Sequence, residues 1–484
     1  MAYMYTNGDW RESRSGKTIE VKNPATKEVI DTVPFASAEE VEEALQAAHA
    51  AKRGWARTPL WKRYDIMCRA SDLIRADKER LAALLSREVG KPIRQSFAEI
   101  ETVARLLRGF AEQAKTVYGL NVPLDQQAGV ENDIYITRKE PLGVIVGIVP
   151  FNFPAELFCQ KVAPSLATGN VIIIKPANVA PLTIIELTKL IYEAGLPENV
   201  LQIVTGSGQV VGDLLTQSPL VNGISLTGST ETGIKTAINA AKHLSRVKLE
   251  LGGNDPLIVF DDADLELAVE QTVFGRTLMN GQTCCANKRM IVHRSKAADF
   301  TDLLTETLKR IRHGDPLDES VGIGPLIDGK ALATVHDQVR ATIAQGARAA
   351  LGAEIVDDAW YLPTVLTDVD PAFDIAKDME IFGPVFPIIT FDTDEEAIAI
   401  ANASIYGLNA AVFTKDLNRA LNVSYQIESG IVAVNSSSTY RPDIALFGGY
   451  KMSGMGREGL IGAMEEVTQT KSVALRNVLN IYGA

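Results

Sequence analysis

The sequence has few of the residues that mark a secreted or metal-binding protein, and no excess of positive charge. Only four cysteines and five histidines occur among 484 residues. So few cysteines in a long chain do not make a disulfide framework, and we expect a reducing, cytoplasmic setting. The 48 basic residues are outnumbered by 60 acidic ones, giving a net charge of −12. This balance argues against a nucleic-acid partner.

Long apolar runs are also missing. The first residues, MAYMYTNGDWRESRSGKT, have no apolar core, so we do not expect a signal peptide. The longest apolar run, GVIVGIVPFNFP, is broken by Pro and Asn, whereas a membrane-spanning helix needs roughly 20 apolar residues. No membrane partner is expected. The remaining composition, 46% apolar and 22% charged, is that of a globular protein with room for two or three domains.

Strand and helix patterns alternate through the middle and the second half of the chain. The first set of continuous apolar strands covers 143–149, 171–176, 200–204, 223–228 and 247–253. The second set covers 256–260, 289–293, 384–391, 409–414 and 430–435. Strands of this kind are typical of parallel sheets covered by helices on both faces. We therefore predict an α/β fold with two doubly wound domains.

Two other regions have different patterns. Residues 37–117 are rich in Ala, Leu, Glu and Arg and are predicted to form long helices. The segment DIYITRKEP, at 133–141, alternates polar and apolar residues and lies outside both predicted sheets. We predict that it is a protruding strand. An exposed strand edge of this kind invites pairing with another chain.

Two of the four cysteines are adjacent, in GQTCCANKR at 281–289. A zinc site needs four ligands, and adjacent cysteines chelate poorly with only His293 nearby, so no metal is expected. Two interpretations remain open at this point. Cys284 and Cys285 are either buried, inert sulfur or include a nucleophile, which would need a lowered pKa and access to substrate.

Several other polar residues stand at the ends of predicted strands. Glu250, in ELGGN, ends a buried strand, where a carboxylate is costly unless it is paired or used. Lys175, in KPAN, ends another strand at the edge where open parallel sheets bind ligands. Asn152 in PFNFP and Glu380 in EIFGP lie beside aromatic and proline residues. LTGSTETG, at 226–233, predicts a strand, a turn and a helix start suited to pyrophosphate.

In this order the motifs resemble those of the aldehyde dehydrogenase superfamily. They are PFNFP, KPA, TGS, ELGGN, GQxC, ExFGP and FGGxKxSGxGREG, the last present as FGGYKMSGMGREG at 447–459. The resemblance covers essentially the whole chain, from NPATKEVI at 23–30 to the final predicted strand. It implies oxidation of an aldehyde to a carboxylic acid with NAD or NADP.

The resemblance also implies roles for single residues. Cys284 matches the nucleophile, Asn152 the donor to the oxyanion, and Glu250 the base that activates water. Cys285 and Thr283 flank the nucleophile and are expected to line the substrate pocket. The expected cofactor contacts are Lys175, Asn178, Gly228, Ser229, Glu380, Pro150, Phe382 and Gly208. Because Asn178 stands where NAD-specific relatives often carry Glu, NADP is not excluded, and we expect NAD ahead of NADP.

The substrate is expected to be a small aldehyde with a polar or acidic tail, similar to lactaldehyde or a semialdehyde. Relatives that oxidise phosphorylated aldehydes carry Arg at positions where this chain has Thr283 and Thr102. Arg441 remains a candidate for binding an anionic tail. The alternative is a salt bridge between Arg441 and Asp443 that fixes the loop. Arg105 is expected to belong to a solvated or salt-bridged helix face.

Three functions are compatible with the fold that the resemblance implies. Hydrolytic oxidation is expected, and CoA-acylating oxidation of a semialdehyde is the alternative, although the acylating branch commonly lacks the base that Glu250 matches. A binding protein without activity is disfavoured because every motif residue is present. The resemblance implies a homodimer or homotetramer. It divides the chain into a cofactor-binding domain (1–117 and 141–252), a catalytic domain (253–455) and an oligomerisation segment (118–140 and 456–484).

Overall fold

Alternating strands and helices run along the whole chain in the computed structural model, which describes residues 1–481. The strands are β1 Met4–Thr6, β2 Asp9–Arg11, β3 Thr18–Lys22, β4 Val29–Pro34, β5 Asn121–Val122, β6 Ile134–Pro141, β7 Val144–Ile148, β8 Val171–Lys175, β9 Leu201–Ile203, β10 Gly223–Thr227, β11 Arg246–Glu250, β12 Pro256–Val259, β13 Arg289–His293, β14 Arg348–Leu351, β15 Ile355–Val356, β16 Trp360–Tyr361, β17 Thr364–Thr367, β18 Val385–Phe391, β19 Tyr406–Gly407, β20 Asn409–Phe413, β21 Ile431–Val434, β22 Tyr450–Lys451, β23 Gly454–Met455 and β24 Thr468–Leu475.

The α-helices are α1 Ala38–Arg57, α2 Leu60–Ala76, α3 Lys78–Val89, α4 Ile93–Ala114, α5 Pro154–Thr168, α6 Leu182–Glu193, α7 Asp213–Gln217, α8 Thr230–Ala241, α9 Leu265–Thr277, α10 Arg294–Leu308, α11 Gly329–Gln345, α12 Asp394–Asn402, α13 Leu417–Gln426 and α14 Gly462–Glu466. The long helices predicted over 37–117 are α1 to α4. None of the helices within residues 1–481 is long and apolar enough to cross a membrane.

The first large sheet has eight strands in the order β2-β1-β9-β8-β7-β10-β11-β23. Its five central strands are parallel, and β1 and β23 are antiparallel to their neighbours. The side chains of β8 and β10 are buried because helices cover both faces, which explains their continuous apolar sequences. All five strands predicted between residues 143 and 253 are present.

The second large sheet has seven strands in the order β14-β17-β18-β13-β12-β20-β21. All neighbouring strands are parallel except β14, which is antiparallel to β17. The five strands predicted for this half of the chain are confirmed, and β13 begins and ends where the sequence predicted. The mixed α/β fold with two parallel sheets is therefore confirmed.

A separate three-stranded sheet, β24-β6-β5, lies outside both large sheets. Strand β6 covers the predicted protruding segment, and it pairs with β24 over eight residues, from Thr468 opposite Pro141 to Leu475 opposite Ile134. Apolar side chains of both strands, including Ile136 and Val473, are exposed in the single chain. The predicted strand is confirmed, and its pairing with a partner subunit stays a prediction.

Candidate functional site

The carboxyl ends of the parallel strands in the first sheet bring several predicted residues together. Strands β8, β10 and β11 end at Lys175, Thr227 and Glu250, at one edge of the sheet. The turn after β10 contains Gly228, whose backbone N–H donates to the carbonyl of Glu250 at 3.0 Å. Parallel strands place their carboxyl ends at the same edge, which is where open α/β sheets bind ligands.

The outermost of three connected cavities lies at this edge and has a volume of about 530 Å³. Lys175, Gly208 and Gly228 line it, as predicted. Gly208 begins one π-helical turn, Gly208–Gly212, that faces the cavity. The Nζ of Lys175 donates to the Pro176 carbonyl at 3.0 Å, and burial lowers the lysine pKa to about 8. An ammonium has three hydrogens, so donors remain for a ribose hydroxyl.

Ser229 and Asn178 are two further predicted cofactor residues. Ser229 caps a helix, whereas Asn178 stands beside the outer cavity without lining it. Ser229 caps α8, and its Oγ accepts a hydrogen bond from the backbone N–H of Thr232 at 3.3 Å. The first N–H groups of α8 therefore face the cavity edge, as a pyrophosphate requires. Asn178 does not line the outer cavity. It follows Ala177, which does, and its buried Oδ1 has no hydrogen-bond partner. An unsatisfied buried amide oxygen suits a hydroxyl donor from a ligand.

The middle cavity, of about 400 Å³, continues from the outer one. Pro150 and Gly228 line both cavities. Glu380 and Phe382 line the middle cavity on the side of the second sheet. The Oε1 atom of Glu380 accepts a hydrogen bond from the backbone N–H of Gly253 at 3.1 Å. The outer and middle cavities together form one elongated space, as a dinucleotide needs.

The inner cavity is much smaller, about 170 Å³, and meets the middle cavity at Asn152 and Cys284, which line both. Thr283, Cys285 and Arg441, the predicted substrate residues, line the inner cavity. Cys284 therefore stands where a small molecule in the inner cavity meets a ligand in the middle one. This junction is the central geometric feature of the site.

The loop that carries Cys284 turns sharply before it reaches the junction. Met279 and Asn280 have φ angles of 50° and 59°, and Gly281 has 80°. A Cβ atom on Gly281 would lie 2.2 Å from a backbone carbon of Gly383, so only glycine fits there. The Nδ2 of Asn280 donates to the carbonyls of Gly90 and Pro325 at 3.0 and 2.8 Å. These contacts hold the strained turn and fix the cysteine that follows.

The two adjacent cysteines have opposite acid–base properties. A hydrogen bond from Cys285, together with the positive charges of Lys288 and Arg441, lowers the pKa of the Cys284 thiol. The hydrogen bond to Cys284, followed by burial, raises the pKa of Cys285 well above its ordinary value. Cys284 is thus the more acidic thiol of the pair, which favours the nucleophile interpretation for it. Cys285 packs against Leu408 and Phe447 as a wall of the inner cavity.

Asn152 lines the junction, whereas Glu250, at the end of β11, lines none of the three cavities. The Nδ2 of Asn152 donates to the Gln282 carbonyl at 3.0 Å, which leaves its second hydrogen for another acceptor. Glu250 is 3% exposed, and neither of its carboxylate oxygens has a hydrogen-bond partner in the structure. Burial, followed by repulsion from Glu458, raises the Glu250 pKa well above its ordinary value. A carboxylate with a raised pKa is a stronger proton acceptor than an ordinary one.

Comparison with known proteins gives the family directly. The model of the aldehyde dehydrogenase family matches residues 10–473. The chain belongs to the aldehyde dehydrogenase family. It is an NAD(P)-dependent aldehyde dehydrogenase, and it oxidises a small aldehyde.

Three relatives illustrate where this aldehyde dehydrogenase lies in the family. It is 37% identical to glutarate-semialdehyde dehydrogenase of Pseudomonas putida, over 97% of each chain. It is 38% identical to 3-sulfolactaldehyde dehydrogenase of Priestia megaterium, over 98% of this chain and 97% of the relative. The structure of NADP-dependent glyceraldehyde-3-phosphate dehydrogenase from Bacillus halodurans, complexed with NADP, matches with a TM-score of 0.95 and 36% identity. That match covers 98% of this chain and 99% of the other.

The predicted salt bridge between Arg441 and Asp443 is wrong for this aldehyde dehydrogenase. The Nη2 of Arg441 instead pairs with Glu458 at 2.6 Å, and Nη1 lies 3.8 Å from Glu156. Asp443 pairs with Arg105, whose Nη2 lies 3.1 Å from Oδ1. Arg441 is on the loop before the last glycine-rich motif and Glu458 lies within it, so sequence proximity to Asp443 suggested the wrong partner.

Three residues of the site were missed by the sequence analysis. Arg105 was predicted as part of a helix face, and it does form a salt bridge, but it also lines the inner cavity with Thr102. Thr102 and Arg105 are three positions apart on α4 and therefore share one face of the helix. This spacing was the sequence signal that Arg105 could reach the same cavity as Thr102. Glu156 and Lys288 carried no recognisable motif. Within residues 1–481, no group of three or more potential metal ligands is found.

Proposed function

We propose that this chain oxidises a small aldehyde with a polar or acidic tail to the carboxylic acid by a hydrolytic mechanism. The single observation that carries the proposal is the position of Cys284, which lines both the middle and the inner cavity. A thiolate there can attack an aldehyde bound in the inner cavity. The reacting carbon then lies at the opening of the middle cavity, where the nicotinamide of a bound dinucleotide is expected.

In the first step the Cys284 thiolate adds to the aldehyde carbon and gives a thiohemiacetal oxyanion. The free Nδ2 hydrogen of Asn152, with a backbone N–H, stabilises this oxyanion. One such donor contributes about 3 kcal/mol to the transition state. Bound NAD or NADP supplies the acceptor for the hydride that leaves the carbon, so a thioester remains on Cys284.

In the second step Glu250 takes a proton from water as the water oxygen attacks the thioester carbon, and the C–S bond breaks to release the carboxylic acid and the Cys284 thiolate. The raised pKa of Glu250 and its two unpartnered oxygens support this role. For the same reason we favour water over CoA as the group that resolves the thioester. A CoA-acylating enzyme would need no buried carboxylate kept free of hydrogen-bond partners at the end of β11.

The cofactor contacts are assigned to the predicted residues of the outer and middle cavities. Lys175 and Asn178 bind the adenosine ribose, Gly228 and Ser229 the pyrophosphate, and Glu380 the nicotinamide ribose. Gly208, Pro150 and Phe382 line the same space. We expect NAD ahead of NADP, and Asn178 can hydrogen-bond the 2′ position of either cofactor.

The inner cavity supports a short substrate with a polar tail. Its volume of about 170 Å³ holds only a few heavy atoms, and hydroxyls of Thr102, Thr283 and Thr439 line it together with Arg105 and Arg441. The names of two relatives specify a semialdehyde and a sulfolactaldehyde as substrates. We propose the same class for this chain: short aldehydes that carry a second polar or anionic group.

Three broader predictions accompany this function. The exposed edge of the β24-β6-β5 sheet supports a homodimer or homotetramer, and the enzyme is expected in the cytoplasm. The predicted division into cofactor-binding (1–117 and 141–252), catalytic (253–455) and oligomerisation (118–140 and 456–484) regions is retained as a proposal. Light scattering coupled to size-exclusion chromatography tests the assembly, and a monomer would contradict it.

A steady-state screen tests the proposed function. NAD and NADP are paired with short neutral and acidic aldehydes, with and without CoA, in the wild type and in Cys284→Ala. We expect reduced cofactor to form with the wild type alone, without a need for CoA, and Cys284→Ala to keep its affinity for NAD. Activity that survives in Cys284→Ala would refute the mechanism, and strict dependence on CoA would favour the acylating alternative.

A further inference from the structure

Lys288 is a charged residue that the mechanism above does not use. It lies four positions after Cys284, and its side chain is 1% exposed. Burying an ammonium costs several kcal/mol unless it has partners of suitable geometry. Its partners therefore indicate what the residue does.

Both partners of the Lys288 ammonium belong to the proposed site. The Nζ atom donates to the backbone carbonyl of Cys284 and lies 3.0 Å from Oε1 of Glu380. The same Nζ lies 5.6 Å from the ring centroid of Phe382. One side chain thus connects the nucleophile's own backbone to the segment that lines the nicotinamide end of the middle cavity.

The contact with Lys288 also fixes how the Glu380 carboxylate is oriented. Oε1 is engaged by Lys288 and by the N–H of Gly253 at 3.1 Å. Oε2 lies against Gly252, since a Cβ atom added to Gly252 would be only 2.4 Å from Oε2. The carboxylate therefore presents Oε2 to the middle cavity, which is the atom available to a ribose hydroxyl.

We propose that Lys288 is a positioning residue that ties the Cys284 backbone to Glu380 and holds the nucleophile and the ribose-binding carboxylate at a fixed separation. This inference rests on the roles proposed above for Cys284 and Glu380. Its consequence is that thiol reactivity and cofactor affinity depend on the same side chain. A residue that only filled space between two segments would affect neither through its charge.

The charges around the thiol agree with this role. The groups that act on Cys284 are Cys285, Lys288, Arg441, Glu380 and Asp255. Arg441 is already paired with Glu458 and lies near Glu156. Burial raises the pKa of the Asp255 carboxyl well above its ordinary value, and Lys288 is the charge that lowers it most. After the hydrogen bond from Cys285 and burial, Lys288 is the charge that lowers the pKa of Cys284 most, and Glu380 is the charge that raises it.

The test compares Lys288→Met, which keeps the length of the side chain and removes its charge, with Lys288→Arg and Glu380→Gln. The exposed Lys309, which pairs with Glu306, provides the matched control Lys309→Met. The rate of iodoacetamide alkylation at Cys284 is followed against pH by tandem mass spectrometry. The Kd for NAD is measured on the same preparations.

We expect Lys288→Met to move the alkylation midpoint up by about one pH unit and to weaken NAD binding several-fold. Glu380→Gln should move the midpoint down, because it removes a negative charge and leaves Lys288 to the cysteine. Lys288→Arg should stay nearer the wild type in the midpoint, and Lys309→Met should match the wild type in both readouts. In Lys288→Met/Glu380→Gln the two shifts should not add, since the residues act on each other.

Two results would overturn the inference. One is a folded Lys288→Met whose alkylation profile and NAD affinity match the wild type. The other, which decides the matter if Lys288→Met does not fold, is a Glu380→Gln variant with an unchanged midpoint. Failure of the proposed function can be told apart from failure of this inference. Oxidation that persists in Cys284→Ala refutes the proposed function, independently of the results for the Lys288 variants.

Discussion

Two buried glutamates, Glu458 and Glu250, lie in one charged network and have opposite properties. Glu458 is fully buried, and its carboxylate lies 2.6 Å from Arg441, 3.1 Å from Lys248 and 3.6 Å from Lys161. These three cations outweigh its burial and hold its pKa well below the ordinary range. Glu250 has no such partner, and its pKa is raised.

The difference shows that burial alone does not decide the state of a carboxyl group. Glu458 has lost its water but gained three positive neighbours, so it stays ionised as a structural counter-ion. Glu250 has no ion-pair or hydrogen-bond partner for its carboxylate, and burial followed by the charge of Glu458 raises its pKa. The charges of Lys248, Arg441 and Lys161 offset this rise only in part. One glutamate therefore keeps the cations in place while the other remains free to take a proton.

The largest expected effect comes from removing the counter-ion. Glu458→Gln leaves three buried cations with one partner fewer, and breaking a buried pair in this way costs about 3–5 kcal/mol of stability. Urea unfolding at neutral pH measures it, with the exposed Glu465→Gln as control. The stability lost in Glu458→Gln should shrink as the pH falls below the ordinary glutamate pKa. A carboxyl whose pKa is lowered in the folded state stabilises the fold above that ordinary value, and this stabilisation disappears as the pH falls and the carboxyl is protonated. A wild-type unfolding curve for Glu458→Gln would remove the contrast between the two glutamates.

A smaller effect on stability but a large one on turnover is expected for Glu250→Gln. In this variant the thioester on Cys284 should form and then hydrolyse about a hundredfold more slowly than in the wild type, since a general base contributes at least that much to the rate. Rapid mixing with aldehyde and NAD should show one equivalent of NADH followed by a stall. Steady turnover at the wild-type rate would exclude Glu250 as the base.

The pH dependence of folding stability tests whether the pKa of Glu250 is raised in the folded protein. Because the folded-state pKa of Glu250 is raised, the folded protein binds a proton that the unfolded chain releases, and stability falls as pH rises above the ordinary glutamate pKa. Glu250→Gln removes this term, so its stability relative to the wild type should increase between acidic and neutral pH. Unfolding curves at several pH values measure the slope, and a difference that is independent of pH would contradict the raised pKa.

The smallest effect is expected at the rim of the inner cavity. Arg105 and Asp443 form an exposed ion pair, and such pairs contribute about 0–1 kcal/mol. Arg105→Ala should therefore leave stability nearly unchanged and raise the KM for acidic aldehydes several-fold more than for neutral ones. Arg108→Ala is the matched control, because Arg108 lies on the same helix, pairs with Asp72 and does not line the cavity. Equal KM changes for both aldehyde classes would leave Arg105 without a role in recognition.

The strands and the motif residues were predictable because each follows from local sequence. Continuous apolar stretches predicted β8 and β13, and the polar residue that ends each strand predicted which side chains reach the edge. The partners of Glu458 were not predictable in this way. Lys161, Lys248 and Arg441 come from α5, β11 and a late loop, and nothing near any of them in the sequence indicates the others.

Lys288 illustrates the same limit at short range. It lies in the quoted stretch GQTCCANKR, yet a lysine before a strand is ordinary in sequence. Its significance comes from the distance to Glu380, which is more than 90 positions away. Charged networks of this kind are set by the packing of the two sheets, and a sequence pattern records only one side of each contact.

The pairing of β6 with β24 has a consequence for biosynthesis. The two strands match over eight residues but are separated by more than 300 positions of chain. At 5–20 residues per second, a ribosome needs about 15–60 s to make the intervening chain. During that time β6 has only the two-residue β5 as a strand neighbour. The three-stranded sheet can form only once β24 has been made, so subunits whose association depends on this sheet cannot assemble before that point.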